Sequence, residues 1–327
     1  MEITRRNFIK KSIILSGSLF FGNRSLFALN KKREQWHPCY AKLEEEGEFA
    51  NRIEKAYSIF EQCELCPRRC GINRQNGERG FCRAPARLMV YTAHPHFGEE
   101  ISLVGKRGSG TIFFSNCNLR CVFCQNWPIS IKGYGKEVQD EDLADMMIYL
   151  QKIGCHNINL VTPTHVMPNI LNATRIAFKK GLRLPLVYNT SGYERVEILK
   201  ILDGIVDIYL PDMKYMDVAK ASQYLSVASD YPEVAQKAVL EMHRQVGKHR
   251  VDNQGIAFRG LMIRHLVMPN NHQYFPDYKA LEYPEINRRI SVKEYLEAMH
   301  WADEYGLTHL DPESVKMKKI YVKQKRT

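Results

Sequence analysis

Seven of the nine cysteines in this 327-residue chain fall into two tight groups: Cys63, Cys66, Cys70 and Cys82, then Cys117, Cys121 and Cys124. Grouped thiols favour metal ligation over disulfides, because cysteines a few residues apart flank too short a turn for an easy bridge. In the second group the spacing Cys-x3-Cys-x2-Cys puts three thiolates on one loop. Such a loop can wrap a cube of iron and sulfide and ligate three of its irons, leaving the fourth open to a small molecule that carries an amine and a carboxylate. The first group has four thiols and can close a site completely, either as structural zinc or as an auxiliary [4Fe-4S] cluster that relays electrons or anchors substrate. Cys39 and Cys155 stand alone and receive no role, since a lone cysteine is most often a small buried hydrophobe.

The elements that must position these thiols follow from the apolar pattern. The second group comes directly after Gly110 to Ser115, a β-branched and aromatic run that predicts a strand. Further strands are predicted at Asn157 to Thr162, Leu184 to Asn189, Ile205 to Leu210 and Leu261 to Val267. Helical stretches at Asp140 to Lys152, Met167 to Lys180, Glu194 to Leu202 and Pro232 to Val246 lie between them, a rhythm that implies a parallel sheet. No Gly-x-Gly-x-x-Gly opens a helix after a strand, so the expected fold is α/β, a partial (β/α) barrel with its site beyond the carboxyl ends of the strands. Residues 29–62 read as a linker and an amphipathic helix with Ile53, Ala56, Tyr57 and Phe60 on one side. Residues 63–86 read as an irregular metal-binding segment, 87–311 as the barrel and 312–327 as a basic tail.

The segment Cys117-Asn-Leu-Arg-Cys121-Val-Phe-Cys124, with Ser-Asn before it and Gln-Asn after it, resembles the signature of the radical S-adenosylmethionine (SAM) superfamily. Within it, the flanks are similar to the pyruvate formate-lyase activating enzyme-like group. Cys63-Glu-Leu-Cys66-Pro-Arg-Arg-Cys70 followed by Cys82 resembles an N-terminal segment of the same family. The likeness implies a [4Fe-4S] cluster on Cys117, Cys121 and Cys124, with SAM on the open iron. One electron into the sulfonium would then give methionine and a 5'-deoxyadenosyl radical for hydrogen abstraction, with a partner protein among the candidate substrates. It also implies an electron donor of the flavodoxin or ferredoxin type. Family members hold the methionine amine with Gly-Gly-Glu after the second strand, where this chain has Thr162-Pro163-Thr164-His165. By position Thr162 and Thr164 would supply hydroxyl acceptors, Asn189 and Ser191 ribose contacts, and Asp212 with Lys214 a further polar end. Each competes with a capping role.

The resemblance breaks once. Only Asn270, Asn271 and His272 separate Met268-Pro269 from Gln273-Tyr274-Phe275-Pro276, where the family has a helix and a strand, so one β-α element is expected to be missing. Two rival readings follow: a non-catalytic iron–sulfur protein whose SAM pocket has decayed, and a zinc-stapled interaction protein.

An apolar fraction of 44% and a charged fraction of 25% argue against disorder and against a multi-span membrane protein. The net charge of +11 is loaded at the ends, in Arg5, Arg6, Lys10 and Lys11 and again from Lys316 to Arg326. No basic run interleaves stacking aromatics, so no nucleic-acid partner is expected. Thr4-Arg5-Arg6-Asn7-Phe8-Ile9-Lys10, followed by a short apolar stretch from Ser12 to Gly22, resembles a twin-arginine export signal ending near Ala28. That stretch is too short to span a membrane. The expectation is a protein that folds in the cytoplasm around its cofactor and is then exported, with cytoplasmic residence as the alternative.

Overall fold

Strands form where short β-branched and aromatic runs can be buried from both sides, and helices where the apolar period lengthens. The computed structural model describes residues 36–265, 276–304, 306, 307, 310 and 312–324, and residues 37–327 form one unit. The strands among the described residues are β1 (Leu88–His96), β2 (Ser109–Phe114), β3 (Lys136–Val138), β4 (Ile158–Val161), β5 (Leu186–Thr190), β6 (Ile208–Met213), β7 (Arg250–Val251), β8 (Ala257–Leu261) and β9 (Arg264–His265). They make one sheet in the order β3-β1-β2-β4-β5-β6-β8-β7, with β9 also on β6. From β2 to β8 every pairing is parallel, with Gly110 opposite Ile158, Ile158 opposite Leu186, Val187 opposite Ile208 and Ile208 opposite Gly260. β1 runs antiparallel to β2, and β7 antiparallel to β8.

Parallel neighbours require crossover helices. These are α3 (Asp140–Lys152), α4 (Met167–Lys179), α5 (Val196–Ile201), and the pair α6 (Val218–Tyr224) and α7 (Tyr231–Val246); α1 (Cys39–Glu45) and α2 (Glu48–Ser58) come before the sheet, α8 (Val292–Glu304) and α9 (Pro312–Gln324) after it. α3 begins with a reciprocal cap between Gln139 and Asp142. The main core lies between the helices and one face of the sheet, with Ile112, Phe114, Ile158, Leu160, Leu186, Tyr188 and Tyr209 in it. A smaller cluster of Leu103, Val187, Ile208, Leu210 and Ala257 fills the other face. The alternation of side chains along each strand therefore assigns Phe113, Asn189 and Asp212 to that second, concave face. The architecture is the expected α/β partial barrel.

Four boundaries differ from the sequence expectation. The fifth parallel strand is Ala257–Leu261, four residues before the predicted Leu261, because Arg259 and Gly260 interrupt its apolar run. Arg259 is absorbed by the Gln245 carbonyl at 2.9 Å and by the Cys39 thiol. Gly260, at φ 119°, lets the backbone at Lys248 approach so closely that a Cβ would stand 2.4 Å from the Lys248 carbonyl oxygen. Within 29–62, read as a linker and one amphipathic helix, the described residues hold that helix, α2, and a second one, α1, before it. Tyr40, Phe49, Ala56 and Phe60 are part of the main core, and the Tyr40 hydroxyl donates to the Leu184 carbonyl at 2.7 Å. β1 was not anticipated, since Pro95 and two histidines disguise it; Pro95 is tolerated because β3 reaches only Leu88 to Val90, leaving that end of the strand unpaired on one side. The basic tail is helical over Pro312–Gln324, with proline at its start and straight-chain residues after it.

The proposed signal at residues 1–28 lies outside the described residues, among which no helix is long and apolar enough to cross a membrane. Most of the shortened segment, residues 266–275, also lies outside them.

Candidate metal centre

The loop after β2 carries Cys117, Cys121 and Cys124, and hydrophobic packing fixes its shape. Leu119, Val122 and Phe123 are buried in a second core cluster with Tyr193, Tyr224, Leu225 and Tyr231. Asn116 and Arg120 adopt left-handed backbone, at φ 75° and 56°, directly before Cys117 and Cys121. Each costs a non-glycine residue about 1 kcal/mol or more, so the neighbourhood must hold them there. It does so by hydrogen bonds. The Asn118 amide donates to the Tyr193 carbonyl at 2.9 Å, the Val122 N–H to the Tyr224 carbonyl at 3.0 Å, and the Ser226 hydroxyl to the Arg120 carbonyl at 2.5 Å.

The three thiols are buried deeply enough that desolvation pushes each of them up from the ordinary thiol range. Hydrogen bonds from backbone N–H groups oppose this at Cys117 and Cys124, and the Lys214 cation opposes it at all three. The Leu119 N–H reaches Cys117 Sγ at 3.3 Å, and Cys124 Sγ lies 3.0 Å from the Ser130 hydroxyl. Such donors favour the thiolate, the form that ligates iron.

Across the carboxyl ends of β5, β6 and β9 lies a charged network. Lys214 Nζ stands 2.8 Å from Asp212 Oδ2, and Arg264 Nε donates to Asp212 Oδ1 at 2.9 Å. Arg264 also reaches Glu99 at 3.2 Å and the Asn189 side-chain oxygen at 2.5 Å. Burial alone would raise the Asp212 carboxyl, but Lys214 and Arg264 hold it below the usual carboxylate range. Lys214 is raised: burial disfavours the cation, and Asp212 and the Cys121 thiol outweigh it. Gly192, at φ 78°, lets the β5 loop lie against the Asp212 carbonyl, where a Cβ would come within 2.6 Å.

Of the residues expected to hold SAM, Asn189, Asp212 and Lys214 therefore meet in one network. Thr162 sits beside it at φ 60°, its N–H on the Asn189 carbonyl at 2.9 Å. The Ser191 hydroxyl is buried without a protein partner, a group that could bond a ligand. Thr164 does not join them. Its hydroxyl donates to Glu194 Oε1 at 2.5 Å, as does that of Thr190, and burial pushes the Glu194 carboxyl up to about 7. Sequence reasoning missed Glu99, Glu100, Glu194 and Arg264. The Glu99-Glu100 pair just before the short helical turn Ile101–Val104, which buries Leu103 and Val104, was the one available signal.

The other four cysteines occupy an irregular segment packed against the same end of the barrel. Cys63, Cys66, Cys70 and Cys82 line one small cavity with Arg74 and His165. Among the described residues no group of three metal-ligating side chains is arranged for a single ion, and all nine cysteines are free. Arg74 is only 2% exposed. It donates to the His165 carbonyl at 2.7 Å and to the Pro85 carbonyl, and its guanidinium lies 4.1 Å from the Phe60 ring centroid. His165 Nε2 is 2.7 Å from the Ser115 carbonyl and so carries the proton, while burial and the Arg74 cation keep the ring neutral by lowering it to about 4.

A parallel α/β sheet with three thiols on the loop after its first parallel strand is the arrangement of an iron–sulfur enzyme of the SAM-dependent radical class. The chain belongs to the radical SAM superfamily, whose family model matches residues 111–270. It is 33% identical over 288 residues to the uncharacterized protein MJ0674 of Methanocaldococcus jannaschii, covering 78% of each chain. It is also 25% identical over 279 residues to the uncharacterized protein MJ0808 of the same organism, covering 73% of this chain and 80% of that one. Membership implies a [4Fe-4S] cluster and SAM. The residues present fit that group: Cys117, Cys121 and Cys124 offer three thiols with hydrogen bonds poised at Cys117 and Cys124, and Lys214 adds a cation beside them.

Proposed function

We propose that this protein reductively cleaves SAM to methionine and a 5'-deoxyadenosyl radical, which then abstracts hydrogen from a substrate. The observation that carries this reading is the cysteine loop itself, buried and clamped at the carboxyl end of β2, with the Asp212–Lys214–Arg264 network beyond the ends of the neighbouring strands. When bound by the three thiolates, an iron–sulfur cluster supplies a single low-potential electron and one open iron. The chain's own residues do the rest. Lys214 stabilises negative charge near the thiols, Asp212 holds Lys214 and Arg264 in place, and Asn189 and Ser191 offer polar contacts to a ligand above β5. Leu119, Val122 and Phe123 keep the floor of the loop dry.

The likeness to activating enzymes supports a protein substrate, and a flavodoxin or ferredoxin as the source of the electron. We place a further metal or cluster at Cys63, Cys66, Cys70 and Cys82, supported by their sharing one cavity. The twin-arginine resemblance supports export after folding. Incubating anaerobically reconstituted protein with dithionite and SAM tests the central reading: 5'-deoxyadenosine and methionine are expected in equal amounts. Their absence, with the cluster intact by electron paramagnetic resonance, would leave a non-catalytic iron–sulfur protein.

A further inference from the structure

The inside of the barrel holds more acid than base. Glu99, Glu100 and Asp212 meet there, mostly buried, and among the described residues the cations that pair with them are Arg264 and Lys214. Lys214 is engaged by Asp212 and by the Cys121 thiol. Arg264 stands 2.9 Å from Asp212 and 3.2 Å from Glu99, but 3.8 Å from Glu100 Oε1, too far for a hydrogen bond. Glu100 Oε2 is buried with no protein partner. Burial raises the Glu100 carboxyl, with Arg264 opposing and Glu99 and Asp212 adding to the rise. Glu100 also occupies the cap position of the turn Ile101–Val104, yet its side chain makes no capping bond. Leu103 of that turn packs on the concave face, so the turn carries both glutamates to the barrel.

The concave face is divided. Leu103, Val187, Ile208, Leu210 and Ala257 fill the half under β5, β6 and β8. The half under β1, β2 and β4 carries His94, Thr111, Phe113 and Asn159, which belong to no apolar cluster. Ile158 and Leu160 enter the main core, so Asn159 between them faces the barrel, in one row with Thr111 and His94. Asn159 is fully buried, and both its side-chain oxygen and its nitrogen lack a protein partner. Each such unmade bond costs about 1–3 kcal/mol, so this amide marks a place for a ligand's polar groups. Access lies along β1, an edge that β3 covers only from Leu88 to Val90. His94 and Phe113 are half-buried there, their rings stacked at 5.8 Å. Burial lowers His94 and His96 below the usual imidazole range, so neither repels a cation at pH 7.

We infer that this half of the barrel binds a primary ammonium group of the substrate, with Glu100 as its counter-charge and Asn159 bonding an oxygen of the same molecule. The inference rests on the radical SAM reading above and narrows its substrate to amines that carry a hydroxyl or carbonyl close by. The amine of SAM itself is expected elsewhere, on the iron that Cys117, Cys121 and Cys124 leave open. An ammonium beside Glu100 brings the network to three acids and three cations and lets a buried carboxylate stay ionised. An alcohol of the same size would leave Glu100 unpaired, so the selection is by charge.

The test is equilibrium dialysis of the full chain, reconstituted anaerobically and loaded with SAM but given no reductant. Isotope-labelled ethanolamine is compared with ethylene glycol, which has the same size and no charge. Ethanolamine is expected to bind at least about tenfold more tightly. Glu100→Gln keeps the shape of the side chain and should remove that preference, while SAM still changes the paramagnetic spectrum of the cluster after reduction. Asn159→Asp, also of the same shape, places a second carboxylate in the row and should tighten ethanolamine binding about tenfold. Should Glu100→Gln fail to fold, Asn159→Asp decides where the amine sits. Equal binding of the two probes, a preference that survives Glu100→Gln, or an unchanged affinity in Asn159→Asp would overturn the inference. So would loss of the SAM-induced spectral change in Glu100→Gln, which would make Glu100 a contact of SAM. If dithionite yields no 5'-deoxyadenosine while ethanolamine is still preferred, the radical SAM reading fails and the amine site stands.

Discussion

Glu194 gives a prediction whose size can be worked from the structure. Its side chain is 1% exposed, Oε1 accepts from the hydroxyls of Thr164 and Thr190, and Oε2 has no protein partner. Burial is the largest influence and raises the carboxyl from 4.5 to about 7, with the two threonines pulling it partway back. A raised carboxyl means that the folded protein binds this proton more tightly than the unfolded chain does. Stability is therefore greatest at low pH and declines as pH rises from about 4.5 through about 7. At about 1.4 kcal/mol for each tenfold change in proton affinity, the full loss is about 3 kcal/mol. Glu194→Gln keeps the acceptor oxygen and removes the titration. It should match the natural protein below about pH 4 and exceed it by about 3 kcal/mol above pH 8. Urea unfolding of the cluster-loaded protein at several pH values reads this directly. A stability difference that does not change with pH would refute the reasoning, and so would a variant that loses stability most at high pH.

Three further outcomes are expected. Replacing Cys117, Cys121 or Cys124 singly by Ala should abolish 5'-deoxyadenosine formation while leaving the metal of the upstream group in place; full cleavage in any one variant would remove the cluster from this loop. Arg74→Met keeps the stem against Phe60 but leaves the His165 and Pro85 carbonyls unpaired, and should cost about 2 kcal/mol or more in urea unfolding. An unchanged midpoint would show that water replaces the guanidinium. Residues 1–32 fused to a reporter that folds before transport should direct its export, and changing Arg5 and Arg6 to Lys should stop it; export that survives the double change would sink the signal reading.

What could be read from the sequence was what local pattern encodes. β2, β4, β5 and β6 are buried on both faces, so each appears as a short apolar run, and the spacing of the cysteines shows on inspection. β1 was hidden because its outer half carries His94, Pro95 and His96, with both imidazoles 5.8 Å from the Phe113 ring. β8 was hidden because Arg259 finds partners on α1 and α7, and no local signal announces a cation neutralised that way. Of the charged network, Asn189, Asp212 and Lys214 stood at strand ends, but Arg264 and Glu99 were equally invisible, since they are 165 residues apart in the chain. Thr164 shows the limit in the other direction: its position after β4 suggested a ligand contact, but a buried acid 30 residues later claims its hydroxyl.

The upstream cysteines are thus more than an appendage to the barrel. Arg195 holds Glu64 at 2.8 Å and its carbonyl at 2.6 Å, Arg74 binds the β4 loop at His165, and Arg68 binds the cluster loop at Asn118. Three of these contacts are made to backbone carbonyls, which substitutions elsewhere in the loops leave in place. His165 and Arg68 hold Ser115 and Asn118 from opposite sides of Cys117, so residues of the first group's segment and cavity also support the loop that carries the second. If the first group holds a metal, as proposed, removing it should therefore alter the paramagnetic spectrum of the Cys117 loop's cluster even under dithionite, when no carrier is present. An identical spectrum would mean that the two sites share a wall without sharing strain.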